Sequence, residues 1–263
     1  MIFSVGFAFA EDVNQTDLGL SVSDDNVISD VPVKSYTDLD TEIHKDSEVN
    51  LTADYAYDET SDNIKQVNLT GSAGKEYSIN GNNHVLDGAG KAGALKFYSV
   101  KVTISNLTFK NCNMSAIEAY ENSTVILNNV IFVNNKEASY GGAIYADDAY
   151  ITVNNCSFSE NYAKYGAAIS SRFSAVTINK SEFKNKYSME WSLIYAFAGS
   201  AVEINDCTFE NLKAKYATVV FATNSYIRTY NSMFANLSAS ATGGAIAVKN
   251  SKRLMITVQN CEF

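Results

Sequence analysis

Proline is nearly absent from this chain, with Pro32 alone in 263 residues, and glycine is limited to 14 positions. Collagen-like and proline-rich linker architectures are thereby excluded. There are two histidines, His44 and His84, and four scattered cysteines, with no Cys/His spacing that suits zinc, so no metal and no cofactor are expected. Only three arginines occur, and no basic field exists to attract nucleic acid. No apolar run reaches the roughly 20 residues that a membrane-spanning helix requires. What remains is ample apolar material, 46% hydrophobic and 12% aromatic, which is enough for a sizeable core and rules out wholesale disorder.

The net charge of −9 is local rather than global. Residues 11–48 carry eleven Asp/Glu against Lys34 and Lys45, and the rest of the chain is neutral. This stretch is expected to be an acidic, flexible segment rather than a binding surface. Before it, residues 1–10 form an apolar run ending Ala8-Phe9-Ala10, the small-x-small pattern of a signal-peptidase site without its basic leader. A signal-peptide remnant, and so an extracellular destination, is the expectation.

Repetition dominates the remainder. Aligned on phenylalanine, the chain reads VTISNLTFKN, VILNNVIFVN, ITVNNCSFSE, VTINKSEFKN, VEINDCTFEN, IRTYNSMFAN and ITVQNCEF. The shared residues are Phe109, Phe132, Phe158, Phe183, Phe209, Phe234 and Phe263, spaced 23 to 29 apart. Seven residues before each stands Val or Ile, and five before stands Ile104, Leu127, Val153, Ile178, Ile204, Thr229 or Val258. That alternation of β-branched residues marks a strand with one buried face. Between these motifs falls a second, SAIEA, GGAIYA, GAAISS, SLIYA, TVVFA and GGAIAV, anchored on Ile117, Ile144, Ile169, Ile194, Val220 and Ile246. Its small leading residues suit a tight turn into a strand.

Each repeat of about 25 residues thus supplies two or three short strands and no amphipathic helix, which excludes βαβ units and leucine-rich solenoids. The expected fold is all-β, a right-handed parallel β-helix over residues 49–263. Identical positions then stack about 4.8 Å apart. Asn106, Asn129, Asn155, Asn231 and Asn260, three before the Phe, and Asn111, Asn134, Asn185, Asn211 and Asn236, two after it, would form amide ladders, one of them buried and satisfied by its neighbours. In residues 77–97, Ile79 and Leu86 keep the seven-residue spacing of Val102 and Phe109 and suggest an earlier coil, with residues 49–70 as the N-terminal cap. The chain stops on an inward Phe263 in mid-repeat, so continuation beyond it, carrying any membrane or wall anchor, is expected.

The GGAI(Y/A) and F-x-N phrases, with INGNNHVLDG followed by VTISNLTFKN, resemble the adhesin-like surface proteins of methanogenic archaea. The GGAI and F-x-N pair is also similar to the repeats of chlamydial polymorphic outer membrane proteins. The likeness covers roughly residues 49–263. It departs where SLIYA and TVVFA lack the glycines and where Lys180 replaces an Asn. It implies a surface-exposed protein that contacts glycans or surface proteins of other cells. Fold likeness of this kind also covers lyases and glycosidases.

Candidate residues follow from the alignment. Tyr140, Tyr165 and Tyr216 stand four before their anchors, where Glu190 fills the remaining coil beside Trp191; Tyr145, Tyr195 and Phe221 stand one after. Pointing outward, they would line one side with flat rings able to stack on sugars; pointing otherwise, they would cover loop backbone. Asp147, Asp148 and Arg172 form the one enzyme-like cluster. Asp147 and Arg172 each lie three after an anchor and should meet in adjacent coils, either as acid/base machinery of a polysaccharide lyase or glycoside hydrolase or as a surface ion pair. Cys156, Cys207 and Cys261 share one inward column two before the Phe, too far apart for disulfides, and Cys112 lies in another; all four are expected to be small buried residues. Nine N-x-S/T sequons occur, of which Asn106 and Asn155 also belong to the ladders. A non-catalytic adhesin-like β-helix, a β-helix enzyme and a plain spacer stalk are the three readings these residues allow.

Overall fold

A computed structural model describes residues 32–71, 75–185, 188–249 and 256–263. Residues 1–31, including the signal-like run, lie outside them. Every strand pairing in the described chain is parallel, in two nine-stranded sheets, one eight-stranded sheet and a minor three-stranded one. Each coil contributes a strand to each main sheet: one begins with the Val/Ile motif, as in Lys101–Ser105, one carries the Phe, as in Thr108–Lys110, and one carries the anchor Ile, as in Ile117–Tyr120. We refer to the valine, phenylalanine and isoleucine sheets. In the valine sheet, strands from successive coils pair without slipping, so Val102, Val125, Ile151, Val176, Val202, Ile227 and Ile256 form one column. The architecture is a parallel β-helix.

The core is a set of such columns. Phe109, Phe132, Phe158, Phe183, Phe209, Phe234 and Phe263 stack with centroids 4.6–5.1 Å apart and planes within 15°. That separation is the strand spacing itself, so the backbone hydrogen bonds set the ring contact. Ile117, Ile144, Ile169, Ile194, Val220 and Ile246 are likewise in register. Gly141 and Gly166 lead into them at φ +66° and +70°, where an added Cβ would lie 2.2 Å from a carbonyl oxygen; only glycine fits there.

The amide ladders form as the alignment requires, but on the outside of the coil rather than buried. Asn106, Asn129, Asn155, Asn231 and Asn260 occupy a left-handed corner at φ 50–55°, and their ladder, with Nδ2–Oδ1 distances of 3.2 Å for Asn129 to Asn106 and 2.7 Å for Asn155 to Asn129, runs along the outside of the coil. Asparagine is there because it tolerates the left-handed region; Lys180 and Asp206 hold the same corner at φ 50° and 54°. A second outer ladder joins Asn111 to Asn134 and Asn211 to Asn236. The buried amides are Asn135, Asn161 and Asn185. Asn135 Nδ2 donates to Phe109 O at 3.1 Å and to Asn161 Oδ1 at 3.0 Å, and Asn185 Nδ2 donates to Asn161 O at 2.9 Å. These side chains satisfy backbone groups that the corner leaves unpaired.

Two boundaries also move. Within the acidic stretch, Tyr36–Lys45 is an α-helix, opened by a Ser35/Asp38 capping box, with Tyr36, Leu39 and Ile43 fully buried against the first coil. Asp62 accepts the Tyr36 and Thr37 amides at 3.0 and 2.8 Å. This helix, rather than residues 49–70, covers the open end of the core, so the flexible assignment fails for residues 33–48. Ile79 pairs with Ile104, not Val102, while Leu86 does pair with Phe109. The two extra residues of that coil are taken up by a corner in which Asn82 and Asn83 adopt φ 47° and 64°.

The cysteines are free thiols. Cys156 and Cys207 face inward and do the work that Ser181 and Ser232 do in intervening coils: each sulfur donates to the carbonyl two residues back, at 3.3 and 3.2 Å. Cys261 is only half-buried, unlike the expectation, because no described coil stacks beyond it. Burial pushes the Cys156 and Cys207 thiols up from 9.0 to about 11.

Two outcomes follow from this packing. Phe158→Ala in the middle of the stack should cost about 3–5 kcal/mol and lower the urea midpoint, whereas exposed Ile131→Ala should change it by less than about 0.5 kcal/mol. Because the thiolate is the nucleophile, native protein at pH 8 should be labelled by a thiol reagent at Cys261 first, with Cys156 and Cys207 reacting only on unfolding. Their contribution to stability should be intact below pH 9 and fall as pH rises towards 11, since the unfolded thiols ionise first.

Candidate binding surface

On the outer face of the isoleucine sheet, two side-chain columns lie beside the corner that precedes each strand. Strands Leu95–Tyr98, Ile117–Tyr120, Ile144–Asp147, Ile169–Arg172, Ile194–Phe197 and Ala217–Thr223 place Lys96, Glu118, Tyr145, Ser170, Tyr195 and Phe221 in one column. The other holds Tyr98, Tyr120, Asp147, Arg172, Phe197 and Thr223. The corner adds Tyr140, Tyr165, Trp191 and Tyr216. Tyr140 stacks on Tyr165 at 5.0 Å, Tyr165 meets Trp191 at 5.2 Å, and Trp191 stacks on Tyr216 at 4.3 Å.

Trp191, not Glu190, therefore completes this column. The SLIYA coil has no glycine pair, and its shortened corner brings the tryptophan to the tyrosine position. Tyr145 and Tyr195 join the same layer, with ring centroids 6.0 and 5.1 Å from Tyr140 and Tyr165. So do Tyr98, Tyr120, Phe197 and Phe221. The result is a continuous aromatic strip across six strands, roughly 24 Å long. Most of its rings are half-buried against one another, and Tyr140 is 36% exposed. The rings close over Ser170, the one small side chain in its column, whose hydroxyl is fully buried and unpaired. Burial raises the Tyr145 hydroxyl, with the Asp147 charge adding to it, and burial raises Tyr195.

Asp147 and Arg172 meet as the alignment requires. Nε donates to Oδ1 and Nη2 lies against Oδ2, both at 2.8 Å. This bidentate bond holds the Arg172 guanidinium above its usual range. Asp148 sits outside the pair, exposed at a left-handed corner with φ 55°. An acid/base mechanism needs two carboxylates free to face one bond, and here Asp147 is committed to Arg172 along the strip's edge. Among the described residues no group of three or more His, Cys, Asp and Glu is placed to hold a metal ion.

One polar cluster at the strip's N-terminal end has no counterpart in the repeat. Glu118 is 8% exposed and takes Lys96 Nζ at 3.1 Å, Gln66 Nε2 at 3.2 Å and the Tyr120 hydroxyl at 2.8 Å. Burial acts to lower Lys96, but hydrogen bonds with Tyr98 and Glu118 carry it above its ordinary value. Burial and then the Glu118 charge push Tyr120 well up. Lys96 also lies over the Tyr98 and Tyr120 rings at 5.5 and 5.1 Å. The charge pair anchors the end of the aromatic layer. Its sequence signal is slight, since Lys96 and Glu118 are charged residues at a position that holds aromatic or small residues in the following coils.

Residues 57–263 match the family described as the right handed beta helix region, and the chain belongs to that family. A comparison with curated proteins finds no match. The Asp147–Arg172 bond is half in solvent, and a double-mutant cycle with Asp147→Asn and Arg172→Gln should give a coupling below about 1 kcal/mol that shrinks with added salt. Urea midpoints of the four proteins would measure it.

Proposed function

We propose that this β-helix is a non-catalytic, adhesin-like protein that acts outside the cell and presents the strip to glycans or surface proteins of other cells. The observation that carries the reading is the continuity of the strip. Flat rings run unbroken over six strands of one face, with the Asp147–Arg172 pair along them and Tyr140 projecting furthest. A half-exposed apolar band of this length marks a contact surface. The rings are pre-ordered by mutual stacking, so little side-chain freedom is lost when a partner docks. The resemblance of the repeats to adhesin-like surface proteins agrees with this use.

Replacing Tyr140, Tyr165 and Tyr216 together with Ser should weaken binding to a glycan panel and to cell surfaces at least tenfold while the circular dichroism spectrum stays unchanged. Unchanged binding by the folded triple variant sinks the proposal. Release of new reducing or unsaturated ends by the native chain would favour the lyase or hydrolase reading instead. Failure of the native chain to bind any surface would favour a spacer.

A further inference from the structure

Ser170 interrupts the aromatic strip. Its column reads Tyr145, Ser170, Tyr195 in successive coils. Two tyrosines therefore stand two strand spacings apart, about 9–10 Å, on either side of a short side chain. Stacked and tilted rings keep their centroids roughly 4.5–7 Å apart, so the gap has the width of one further ring.

Tyr140 fills that gap from the side. Its centroid lies 6.0 Å from Tyr145 and 6.4 Å from Tyr195, which puts the ring over the residue between them. It stacks on Tyr165 at 5.0 Å and on Phe197 at 5.4 Å. Tyr140 belongs to the coil before Ser170 and Phe197 to the coil after it, so the ring reaches across a whole coil. Tyr140 is also 36% exposed. The arrangement serves the ring faces and leaves Ser170 unmatched. The Ser170 hydroxyl is wholly buried beneath the rings and has no hydrogen-bond partner. Its strand is paired on both sides, so no backbone group there is open to it. An unmet hydroxyl among apolar neighbours is destabilising.

We propose that the slot over Ser170 is a binding site for a tyrosine side chain of a partner protein, which enters in place of Tyr140. This rests on the reading of the strip as a contact surface and names the group that the strip takes. Tyr140 comes from the corner and lies across the slot without bonding to Ser170. A ring that enters along the sheet normal brings its para hydroxyl down first, onto Ser170 Oγ. The exchange swaps one ring for another between the same walls and adds a hydrogen bond where none was made. A phenylalanine has no hydroxyl to offer. A charged side chain would lose its hydration with no counter-ion, because Arg172 and Asp147 are already bound to each other. Tyr140 has only to turn about its side-chain bonds, a fast motion for a partly exposed residue.

The test is titration of the full chain with N-acetyltyrosinamide and N-acetylphenylalaninamide, followed by nuclear magnetic resonance shifts. The native chain should bind the tyrosine amide weakly, since Tyr140 competes for the slot, and Tyr140→Ala should bind it at least tenfold more tightly. Tyr140→Ala should prefer the tyrosine amide to the phenylalanine amide by about fivefold, and adding Ser170→Ala should remove that preference. Ser170→Tyr, which restores the ring found at this position in both neighbouring coils, should fold as the native chain does and bind neither amide. Urea midpoints check the folding of each variant. The slot is overturned if the native chain takes no tyrosine amide at tens of millimolar, or if Tyr140→Ala binds it no more tightly. It is also overturned if the preference survives loss of the Ser170 hydroxyl, or if Ser170→Tyr binds as the native chain does. A native chain that takes the amide as stated but binds no glycan or cell surface keeps the slot, and the failure then lies with those wider partners alone.

Discussion

Parallel pairing in constant register governs this molecule. Each strand finds its partner one coil away, so every side chain has a nearly identical neighbour above and below at the strand spacing. A side chain is therefore selected for its fit to a column. Seven phenylalanines at 4.6–5.1 Å are the clearest case. Register also dictates where extra chain can go. A residue inserted within a strand turns every later side chain to the wrong face unless a bulge absorbs it, so coil length varies mostly at corners, with one register shift inside a strand, between Ala217 and Val220. The left-handed corner residues make that possible, since a residue at positive φ reverses the chain sharply and leaves the next strand in phase.

The outer surface obeys the same rule with a different result. Outward positions also stack, so aromatic residues recurring on the isoleucine sheet pack on one another as surely as the inner phenylalanines do. The strip is thus already organised before any partner arrives, with ring faces partly used in mutual contact and ring edges left to solvent. The outer face of the valine sheet has the opposite character. Ala175 and Ala201 separate Tyr150 from Tyr226 in their column, so neither tyrosine has an aromatic neighbour within it. One face offers a pre-packed band, the other isolated rings.

What repeats was legible in the sequence, and what occurs once was not. The Val/Ile, Phe and anchor columns, the inward cysteines and the meeting of Asp147 with Arg172 all follow from aligning like with like. The helix Tyr36–Lys45 was masked by composition: its apolar residues Tyr36, Leu39 and Ile43 are spaced by three and four, and Ser35 with Asp38 forms a capping box, but the surrounding acids suggested a solvated tail. Trp191 was displaced by one position because counting back from Ile194 assumes a corner of constant length. The same assumption paired Ile79 with Val102. Asparagine was ambiguous for a chemical reason, since one residue type serves as ladder amide, left-handed corner and buried backbone cap. The Lys96–Glu118–Gln66 cluster joins residues from three coils, of which only Glu118 lies in an aligned motif, and the folded geometry brings them together.

The interstrand hydrogen bonds all run along the axis of the helix rather than across it. Tension applied between the two ends would therefore pull on every bond at one coil boundary at once, and the boundaries would bear the load in series. Extension is limited by the weakest boundary, not by the sum of them. Each coil of about 25 residues that opens would release roughly 80–90 Å of chain, so the stack combines stiffness at low force with a large reserve of length once a boundary yields.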